Sequence, residues 1–209
     1  MARTWLHRIL EFPLVYRVAQ VAAGGGGAAL EAVYRETFGQ TRGDVLDVGC
    51  GPTIDTPLPD GTLLALDVNP GYVAQYVGAA VGDAEPVQRL GVVATASLLP
   101  FHDGSFDECR CLFVLHHLPD AAVRETVREM RRVLRPGGRL VVLDMIWPDS
   151  FPAGPLAWLT CRFDRGEWVR SGPDLLGLAR EACPGKWSSL EFDYSWLRLR
   201  GTVLEFPGR

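Results

Sequence analysis

The segment Val45–Pro52, with the sequence VLDVGCGP, constrains the fold of this chain more than any other stretch. Its apolar start is interrupted only by Asp47 and leads into two glycines, a pattern typical of a buried parallel strand that ends in a tight turn. In an open parallel sheet, ligands bind beyond the carboxyl ends of the strands, and glycines there let the backbone approach a ligand closely. The sequence therefore predicts a ligand-binding turn at Gly49, Cys50 and Gly51.

A second apolar run, Thr62–Leu66, leads directly into Asp67. We predict that this run is the second strand of the sheet. An acidic side chain at its tip is placed to accept hydrogen bonds from the two hydroxyls of a ribose. A ribose-containing ligand is therefore expected beside the glycine-containing turn.

The glycine spacing distinguishes between two classes of ribose-containing cofactor. A dinucleotide site requires a third glycine, but Ile54 stands at that position, and Pro52 removes an N–H group that a pyrophosphate would use. Asp47 would also repel a diphosphate, whereas it could attract a cationic group. The pattern favours a positively charged nucleoside without phosphate, and a nucleotide-dependent dehydrogenase is the disfavoured alternative.

Four motifs in this order resemble those of the class I S-adenosylmethionine-dependent methyltransferases. They are VLDVGCGP, LLALDVNP (Leu63–Pro70), LLPFHDGSFDECRCLFVLHHLPD (Leu98–Asp120) and RVLRPGGRLVVLDM (Arg132–Met145). The resemblance implies an α/β fold with a Rossmann-like, mostly parallel seven-stranded sheet, helices on both faces and an antiparallel last strand. It also implies S-adenosylmethionine as cofactor, S-adenosylhomocysteine as product, and methyl transfer to an O, N or C nucleophile of a small molecule. The alternative is a methyltransferase fold repurposed as a cyclase or a cofactor-binding regulator.

Carried over by motif, the residues implied to bind the cofactor lie at the ends of the first four strands. They are Asp47, Gly49, Cys50, Gly51, Asp67, Val68, Thr95, Ala96, Ser97 and Leu112. The family commonly has an acidic residue where this chain has Thr95, so recognition of adenine is expected to depend on the backbone of Ala96, with Leu98 covering the base. Three prolines between the first two strands predict that the helix usually found there is one turn long or missing, which would leave residues 53–55 as a loop.

His116 and His117 follow the predicted fourth strand, Glu108–Val114, and are the candidate catalytic residues. A histidine beside a methyl donor can act as general base, because its unperturbed pKa of about 6.5 suits proton removal at neutral pH. By resemblance, His117 matches the histidine that the family carries more regularly, and its role is either a structural hydrogen bond or catalysis. His116 is at the variable position and faces either the cleft or solvent. No metal site is predicted, since adjacent side chains diverge and no third ligand follows at helical spacing.

The segment from about residue 147 to 186 is predicted to be a substrate-side insertion rich in aromatic residues. Trp147 and Trp168 are candidates for stacking on a planar or apolar substrate, with burial against the sheet as the alternative. Arg165 and Arg170 could bind a carboxylate or phosphate of the substrate, and a salt-bridged turn is the alternative. Substrate choice is therefore expected to reside in this part of the chain.

Apolar periodicity and the positions of proline and glycine predict the remaining elements. Helices are expected at Ala28–Phe38, Gly71–Val81, Asp120–Leu134 and Gly172–Ala182, and strands at Val92–Thr95, Arg139–Ile146, Leu190–Leu197 and Thr202–Phe206. The arginine-rich face of the helix at Asp120–Leu134 is predicted to be a solvated surface with i,i+3 and i,i+4 ion pairs. A phosphate-binding strip is the less favoured alternative.

Length and composition indicate one domain, with residues 41–209 as the cofactor-binding core and residues 1–40 as a helical extension or lid. The extension carries an apolar helical stripe over Thr4–Gln20 that is broken by Pro13 and by charges, so neither a membrane span nor a signal peptide is expected. A net charge of −4 provides no electrostatic case for nucleic acid. Five cysteines without a C-x-x-C pair favour reduced thiols and a cytoplasmic location. The expected partner is a small-molecule acceptor, and the expected assembly is a monomer or homodimer.

Overall fold

The computed structural model describes residues 28–39, 41, 43–52, 57–78, 88–148, 155–163, 167–195 and 198–207. The helical stripe predicted over Thr4–Gln20, the predicted loop at residues 53–55 and the candidate substrate residue Arg165 lie outside the described residues. Within these ranges, seven strands form one sheet that is flanked by helices.

The elements alternate along the chain between strands and helices. The strands are β1 (Val45–Val48), β2 (Leu63–Asp67), β3 (Arg89–Val93), β4 (Phe106–Leu112), β5 (Leu134–Ile146), β6 (Ser188–Asp193) and β7 (Arg200–Phe206). The α-helices are α1 (Ala28–Phe38), α2 (Pro70–Gly78), α3 (Asp120–Val133), α4 (Pro155–Phe163) and α5 (Gly172–Ala182). A 3₁₀ helix at Leu115–His117, here named the histidine turn, lies between β4 and α3.

The order of the strands in the sheet is β3-β2-β1-β4-β5-β7-β6. Strands β1 to β5 pair in parallel, whereas β7 runs antiparallel to both of its neighbours, β5 and β6. The predicted Rossmann-like sheet with an antiparallel last strand is therefore confirmed. The carboxyl ends of β1, β2, β4 and β5 consequently meet along one edge, where the candidate site lies.

The limits of β3 and β4 differ from the prediction because a partner strand decides the first and a single backbone angle decides the second. The predicted third strand is present but covers Arg89–Val93, not Val92–Thr95, because it pairs residue by residue with β2 and ends opposite Asp67. Strand β4 ends at Leu112, earlier than predicted, because Phe113 has a φ of 55°, outside the extended region. Apolar patterning reports neither of these constraints.

Strand β5 begins directly after α3 at Leu134, not at the predicted Arg139. Leu134 already has extended backbone angles and pairs with Phe106, and the register then shifts so that Arg139 pairs with Glu108. The Pro-Gly-Gly sequence at residues 136–138 therefore lies in an irregular part of the strand. The helix ends before it.

Strands β6 and β7 form a hairpin whose turn sets both of their limits. The N–H of Arg198 donates to the carbonyl of Ser195 at 2.9 Å, and Arg198 has a φ of 60°. Strand β6 therefore ends at Asp193 and β7 begins at Arg200. The predicted strand Leu190–Leu197 extends too far into this turn.

Helices cover both faces of the sheet. On one face, α3 and α5 pack against the strands, and on the other face α1, α2 and α4 do so. Helices α1 and α5 have the predicted bounds, and α3 buries a stripe at the predicted helical spacing, each member 0% exposed: Val123, Val127, Met130 and Val133. All five cysteines lie in the described ranges and are buried and free. Among the described helices, none has the length and apolarity needed to cross a bilayer.

An ion pair with a buried carboxylate ties α1 to the central strands. Glu108 on β4 is 3% exposed, and its carboxylate accepts hydrogen bonds from Nε and Nη2 of Arg139 at 3.0 and 2.6 Å. Arg139 also donates to the carbonyl of Thr37 at 2.8 Å, and the Thr41 hydroxyl donates to Glu108 at 3.3 Å. The pair therefore contributes to the contact between the end of α1 and strands β4 and β5.

Arg139→Met is expected to lower the free energy of unfolding by about 3–5 kcal/mol, because it leaves the Glu108 carboxylate buried without its cation. Denaturant unfolding monitored by circular dichroism measures the change. Arg124→Met is the matched control, since Arg124 pairs with a Glu181 side chain that is 59% exposed. The control should lose less than about 1 kcal/mol. Equal losses in the two variants would contradict the assignment.

Candidate functional site

The carboxyl end of β1 turns through Gly49 and Gly51, which have φ values of 74° and 60°, angles that favour glycine. This glycine turn (Gly49–Gly51) is fastened to β2. The N–H groups of Gly49 and Cys50 donate to the carbonyl of Leu66 at 2.7 and 3.0 Å, and the N–H of Gly51 donates to Asp67 at 3.2 Å. The N–H groups of all three residues of the predicted ligand-binding turn are thus engaged within the protein.

The two glycines differ in what surrounds them. A Cβ added at Gly49 would overlap the side chain of Val114, the residue before the histidine turn. Gly49 therefore lets the glycine turn and the histidine turn lie in direct contact. Around a Cβ added at Gly51, no described atom beyond its chain neighbours lies within 4 Å. Gly51 thus borders open space at the sheet edge where this fold binds ligands.

Asp67 lies at the tip of β2, and two backbone groups orient its carboxylate. Oδ1 accepts the N–H of Asn69 at 2.8 Å, and Oδ2 accepts the N–H of Gly51 at 3.2 Å. Each carboxylate oxygen has two lone pairs, so both oxygens can accept a further hydrogen bond, as the predicted ribose diol requires. Val68 is 68% exposed and offers apolar surface beside the carboxylate.

The chain after β3 forms the loop that carries the predicted adenine-binding residues Thr95, Ala96 and Ser97. Thr95 is exposed, and its hydroxyl lies 3.1 Å from that of Ser97. Leu98 is 71% exposed. Leu112, at the end of β4, is half-buried. The contact of these residues with adenine stays a prediction.

Two residues of α3 clamp the end of this loop. The N–H of Leu99 donates to Glu129 at 2.8 Å, and Arg132 donates to the carbonyls of Leu99 and Phe101 at 3.0 and 2.8 Å. Glu129 and Arg132 form the expected i,i+3 pair, and Arg132 also bonds Asp103 at 2.8 Å. The arginine-rich face is therefore not simply solvated at Arg132. Sequence reasoning missed the clamp because its partners lie about 30 residues apart in the chain.

The structure corrects the expectation that Asp47 attracts a cationic ligand. Asp47 is 4% exposed, and its Oδ2 accepts the hydroxyl of Tyr76 at 2.5 Å and lies 3.5 Å from Nε of Arg110. Arg110 is fully buried, so the cation beside Asp47 belongs to the protein itself. The Cys50 side chain is also buried, and burial together with the Asp47 charge raises the pKa of the thiol. These two side chains belong to the core beneath the glycine turn.

In the histidine turn, His116 is 7% exposed and His117 is exposed. Nδ1 of His116 lies 2.5 Å from Oδ1 of Asp144, and the backbone N–H of His116 donates to Oδ2 at 3.0 Å. Asp144, near the carboxyl end of β5, is 1% exposed and also accepts the N–H of Met145 at 2.8 Å. The buried carboxylate thus holds His116 away from solvent, so the expectation that His116 faces solvent is wrong. Among the described residues, no group of three metal-binding side chains is present.

The carboxylate contact decides which nitrogen of His116 carries the proton. A neutral imidazole that donates from Nδ1 to Asp144 has its lone pair on Nε2, the nitrogen that takes up a proton in base catalysis. A buried carboxylate also stabilises the imidazolium that then forms. Sequence reasoning missed Asp144, although an acidic residue inside the apolar run Leu140–Ile146 is a signal of the same kind as Asp47 in β1.

The aromatic candidates lie at the end of β5 and next to the histidine turn. Trp147 is half-buried, its Nε1 donates to the carbonyl of Val169 at 2.8 Å, and its ring centroid lies 5.7 Å from that of Trp158 on α4. Trp168 is 44% exposed, and its backbone N–H donates to the carbonyl of His116 at 3.0 Å. Stacking of these side chains on a substrate stays a prediction.

Arg170 is not placed to bind a substrate anion, contrary to the prediction. Its side chain is 9% exposed, and its guanidinium donates to the carboxylate of Asp120 and to the carbonyls of Leu115, Leu118 and Trp168. These hydrogen bonds use all five N–H donors that a guanidinium has. The salt-bridged turn, the alternative interpretation of this segment, therefore describes Arg170 correctly.

Comparison with known sequences places these features in a family. Residues 46–142 match a family model described as a methyltransferase domain. A demethylmenaquinone methyltransferase from Mycolicibacterium vanbaalenii is 36% identical over 184 residues, 77% of this chain and 73% of that protein. An uncharacterized 37.1 kDa protein in transposon TN4556 of Streptomyces fradiae is 33% identical over 135 residues. The match covers 61% of this chain but 38% of that protein, so the chain spans well under half the length of this second relative.

Two solved structures show the same fold. YcgJ from Bacillus subtilis has a TM-score of 0.62 at 19% identity, over 86% of this chain and 97% of that chain. The [4+2]-cyclase SpnF has a TM-score of 0.62 at 19% identity, over 86% of this chain and 79% of that chain. At this level of identity the likeness concerns the fold alone.

Gly51→Ala is expected to weaken the binding of S-adenosylmethionine roughly tenfold or more, because the added methyl group occupies the open space beside the turn. Its cost in unfolding free energy should be about 1–2 kcal/mol, from the left-handed φ. Gly49→Ala should destabilise the fold further, since its methyl group overlaps Val114. Calorimetry and denaturant unfolding measure the two effects. Unchanged affinity in folded Gly51→Ala protein would place the ligand elsewhere.

Glu129→Gln tests the loop clamp through its pH dependence. The hydrogen bond from Arg132 lowers the pKa of Glu129, so this carboxylate stabilises the fold above its ordinary pKa of about 4.3 and loses that contribution as the pH falls through the folded-state value. The variant should lose about 1–2 kcal/mol at pH 7. Urea unfolding should show this difference shrinking as the pH falls below about 4.3 and through the lowered folded-state pKa of Glu129. A difference that persists at the acid end would mean that charge is not what holds the loop.

Proposed function

Because this chain belongs to the class I S-adenosylmethionine-dependent methyltransferases, we propose that it methylates an oxygen, nitrogen or carbon nucleophile of a small molecule. His116 is the general base of this proposal. The observation that carries it is the buried hydrogen-bonded pair of His116 and Asp144, which lies next to the glycine turn. A carboxylate that orients an imidazole is the arrangement by which enzymes make histidine an effective base.

The residues at the carboxyl ends of β1 and β2 fit S-adenosylmethionine, the cofactor of this family. Asp67 would hold the ribose, Gly51 would let the ligand lie close to the backbone, and Val68 and Leu98 would cover the adenine. When bound, the cofactor supplies a methyl group on a positively charged sulfur that is already activated for transfer. The main task of the protein is therefore to align acceptor and donor, which can be worth about 7–11 kcal/mol.

His116 would act on acceptors that must lose a proton as they react. Its Nε2 would take the proton from a hydroxyl, an amine or an acidic C–H group while the acceptor atom bonds the methyl carbon. The bond from that carbon to the sulfonium sulfur would break in the same step, which leaves S-adenosylhomocysteine. Asp144 keeps the hydrogen bond to Nδ1 and stabilises the resulting imidazolium. A base in this position contributes roughly 10²–10⁴-fold to the rate.

We favour a planar, apolar acceptor with an acidic hydroxyl or C–H group. Trp147 and Trp158 form an aromatic pair at the end of β5, and Trp168 is 44% exposed beside the histidine turn. Arg170 has its donors engaged by the protein, so it does not supply a site for an acceptor carboxylate or phosphate. The Mycolicibacterium relative is named for methylation of demethylmenaquinone, a quinone, which supports an acceptor of this class.

We also propose a cytoplasmic location and a monomeric or homodimeric assembly. The five cysteines, all buried and free, support a reducing compartment. Helix α1 buries Leu30, Tyr34 and Phe38 in the core, so this part of the extension covers the sheet.

A cyclase is the second candidate function. The likeness to the [4+2]-cyclase SpnF supports it, because this fold also carries that activity. In a cyclase, His116 and Asp144 would act on a substrate that forms a ring and receives no methyl group. Formation of S-adenosylhomocysteine distinguishes the two candidates, since only methyl transfer consumes the cofactor.

The test has two stages. Calorimetry with S-adenosylmethionine and S-adenosylhomocysteine should give micromolar binding that Asp67→Ala abolishes, since that variant loses the ribose acceptor. A panel of phenols, quinols and amines should then yield S-adenosylhomocysteine and a methylated product with at least one class. Folded protein that binds neither cofactor form would overturn the proposal. Conversion of a substrate that requires S-adenosylmethionine but forms no S-adenosylhomocysteine would favour the cyclase.

His116→Asn and Asp144→Asn are expected to lower kcat roughly 10²–10⁴-fold, while S-adenosylmethionine affinity changes less than about threefold. Both variants remove the oriented base without touching Asp67 or Gly51. His102→Asn is the control, because His102 is exposed and the variant should retain full activity. Steady-state kinetics on a responsive acceptor decide the matter. Full activity of the His116 variant would leave alignment as the sole source of catalysis.

A further inference from the structure

The guanidinium of Arg170 bridges the two ends of the histidine turn. Nη1 donates to the carbonyl of Leu115 at 3.0 Å, and Nη2 donates to the carbonyl of Leu118 at 2.7 Å. Nε and Nη2 also bond Oδ1 of Asp120, at the start of α3, at 3.0 and 2.7 Å, and Nη1 bonds the carbonyl of Trp168 at 2.9 Å. One side chain thus fixes the start of the turn, its end and the helix that follows.

The backbone around Arg170 continues this contact. The segment Trp168–Arg170, here named the strap, donates the N–H of Trp168 to the carbonyl of His116 at 3.0 Å. Its other edge pairs with β5, where Ile146 and Arg170 form a parallel bridge and the N–H of Trp147 donates to the carbonyl of Arg170 at 2.9 Å. The strap therefore joins the turn that carries His116 to the strand end that carries Asp144.

The histidine turn depends on such external bonds because it has few of its own. It is three residues long, follows Phe113 with its φ of 55°, and lacks a side-chain cap at its amino end. Its internal bonds run from the N–H of His117 to the carbonyl of Val114 and from the N–H of Leu118 to the carbonyl of Leu115. A short 3₁₀ segment of this kind is weakly held by itself.

We propose that Arg170 is a positioning residue. Through the strap, it keeps the His116 ring hydrogen-bonded to Asp144, and it so links the substrate-side insertion to the general base. The proposal rests on the proposed function, in which His116 takes the proton of the acceptor. In this role, the fork of five donors matters as well as the charge, because a lysine ammonium has three donors on one atom and does not span both ends of the turn.

Arg170→Met and Arg170→Lys distinguish two roles of Arg170. One is the proposed positioning of the histidine turn, and the other is binding of an anionic group of the acceptor. Positioning predicts that both variants lose about 10–100-fold in kcat, while the KM for the acceptor and the affinity for S-adenosylmethionine change less than about threefold. Asp120→Asn, at an exposed side chain, should act in the same direction but less strongly, and it keeps the test open if the Arg170 variants fold poorly. Arg162→Met, at an exposed arginine of α4, is the matched control and should leave kinetics unchanged.

A second readout needs no acceptor. The proton between His116 Nδ1 and Asp144 should give a far-downfield resonance in the proton NMR spectrum, which Asp144→Asn removes. If Arg170 positions the histidine turn, the Arg170 variants should broaden or shift that resonance and Arg162→Met should not. This readout separates failure of the positioning role from failure of the proposed function, because it can change even if every acceptor proves inert.

Two results would overturn the inference. One is folded Arg170→Met protein with the kcat and the downfield resonance of the parent. The other is a raised acceptor KM at constant kcat that Arg170→Lys restores, which would return Arg170 to the role of an anion-binding residue.

Discussion

The hydrogen bonds between His116 and Asp144 join the two strand ends on which the candidate active site depends. Asp144 belongs to β5 and His116 to the turn after β4, so the pair connects neighbouring parallel strands at their carboxyl ends. A carboxylate that is 1% exposed is costly to bury unless hydrogen bonds replace its water. Asp144 meets this need with the ring and N–H of His116 and the N–H of Met145. The same requirement orients the imidazole and holds its turn against Gly49.

Two further carboxylates in the central strands are buried, and they differ in how well a neighbouring arginine is hydrogen-bonded to them. Glu108 accepts short hydrogen bonds from Arg139 and serves stability, away from the carboxyl ends of the strands. Asp47 accepts the Tyr76 hydroxyl, while Arg110 lies beside it with no hydrogen-bond partner for its three side-chain nitrogens among the described residues. Asp47 and Arg110 lie at the end of β1 that leads into the glycine turn. The described residues after this strand, 49–52 and 57–62, contain no helix. The three acids therefore lie at successive levels along the strands: Glu108 near their amino ends, Asp47 in the core beneath the glycine turn, and Asp144 at the candidate site.

Two arginines hold segments of the candidate site through backbone carbonyls. Arg132 bonds the loop after β3, and Arg170 bonds the turn after β4, and each does so from an element outside the segment it holds. A guanidinium suits this task because its planar fork satisfies several carbonyls at fixed angles, which an ammonium does not. Both segments follow strand ends at the site, so these two side chains contribute rigidity where cofactor and acceptor are proposed to meet.

The sequence by itself predicted an open parallel sheet with a glycine turn and with Asp67 at a strand tip, because these patterns are local properties. The seven-stranded sheet and the cofactor followed from the resemblance of its four motifs to a known family. The sequence also predicted both bounds of α1 and α5. Only the tertiary structure decided which donors meet which acceptors: His116 bonds an acid 28 residues away, and Arg170 bonds a carbonyl 55 residues away. Residue type specifies that a group needs a partner, but packing selects that partner. Asp47 and Arg170 were therefore assigned to ligands when the fold had already engaged them.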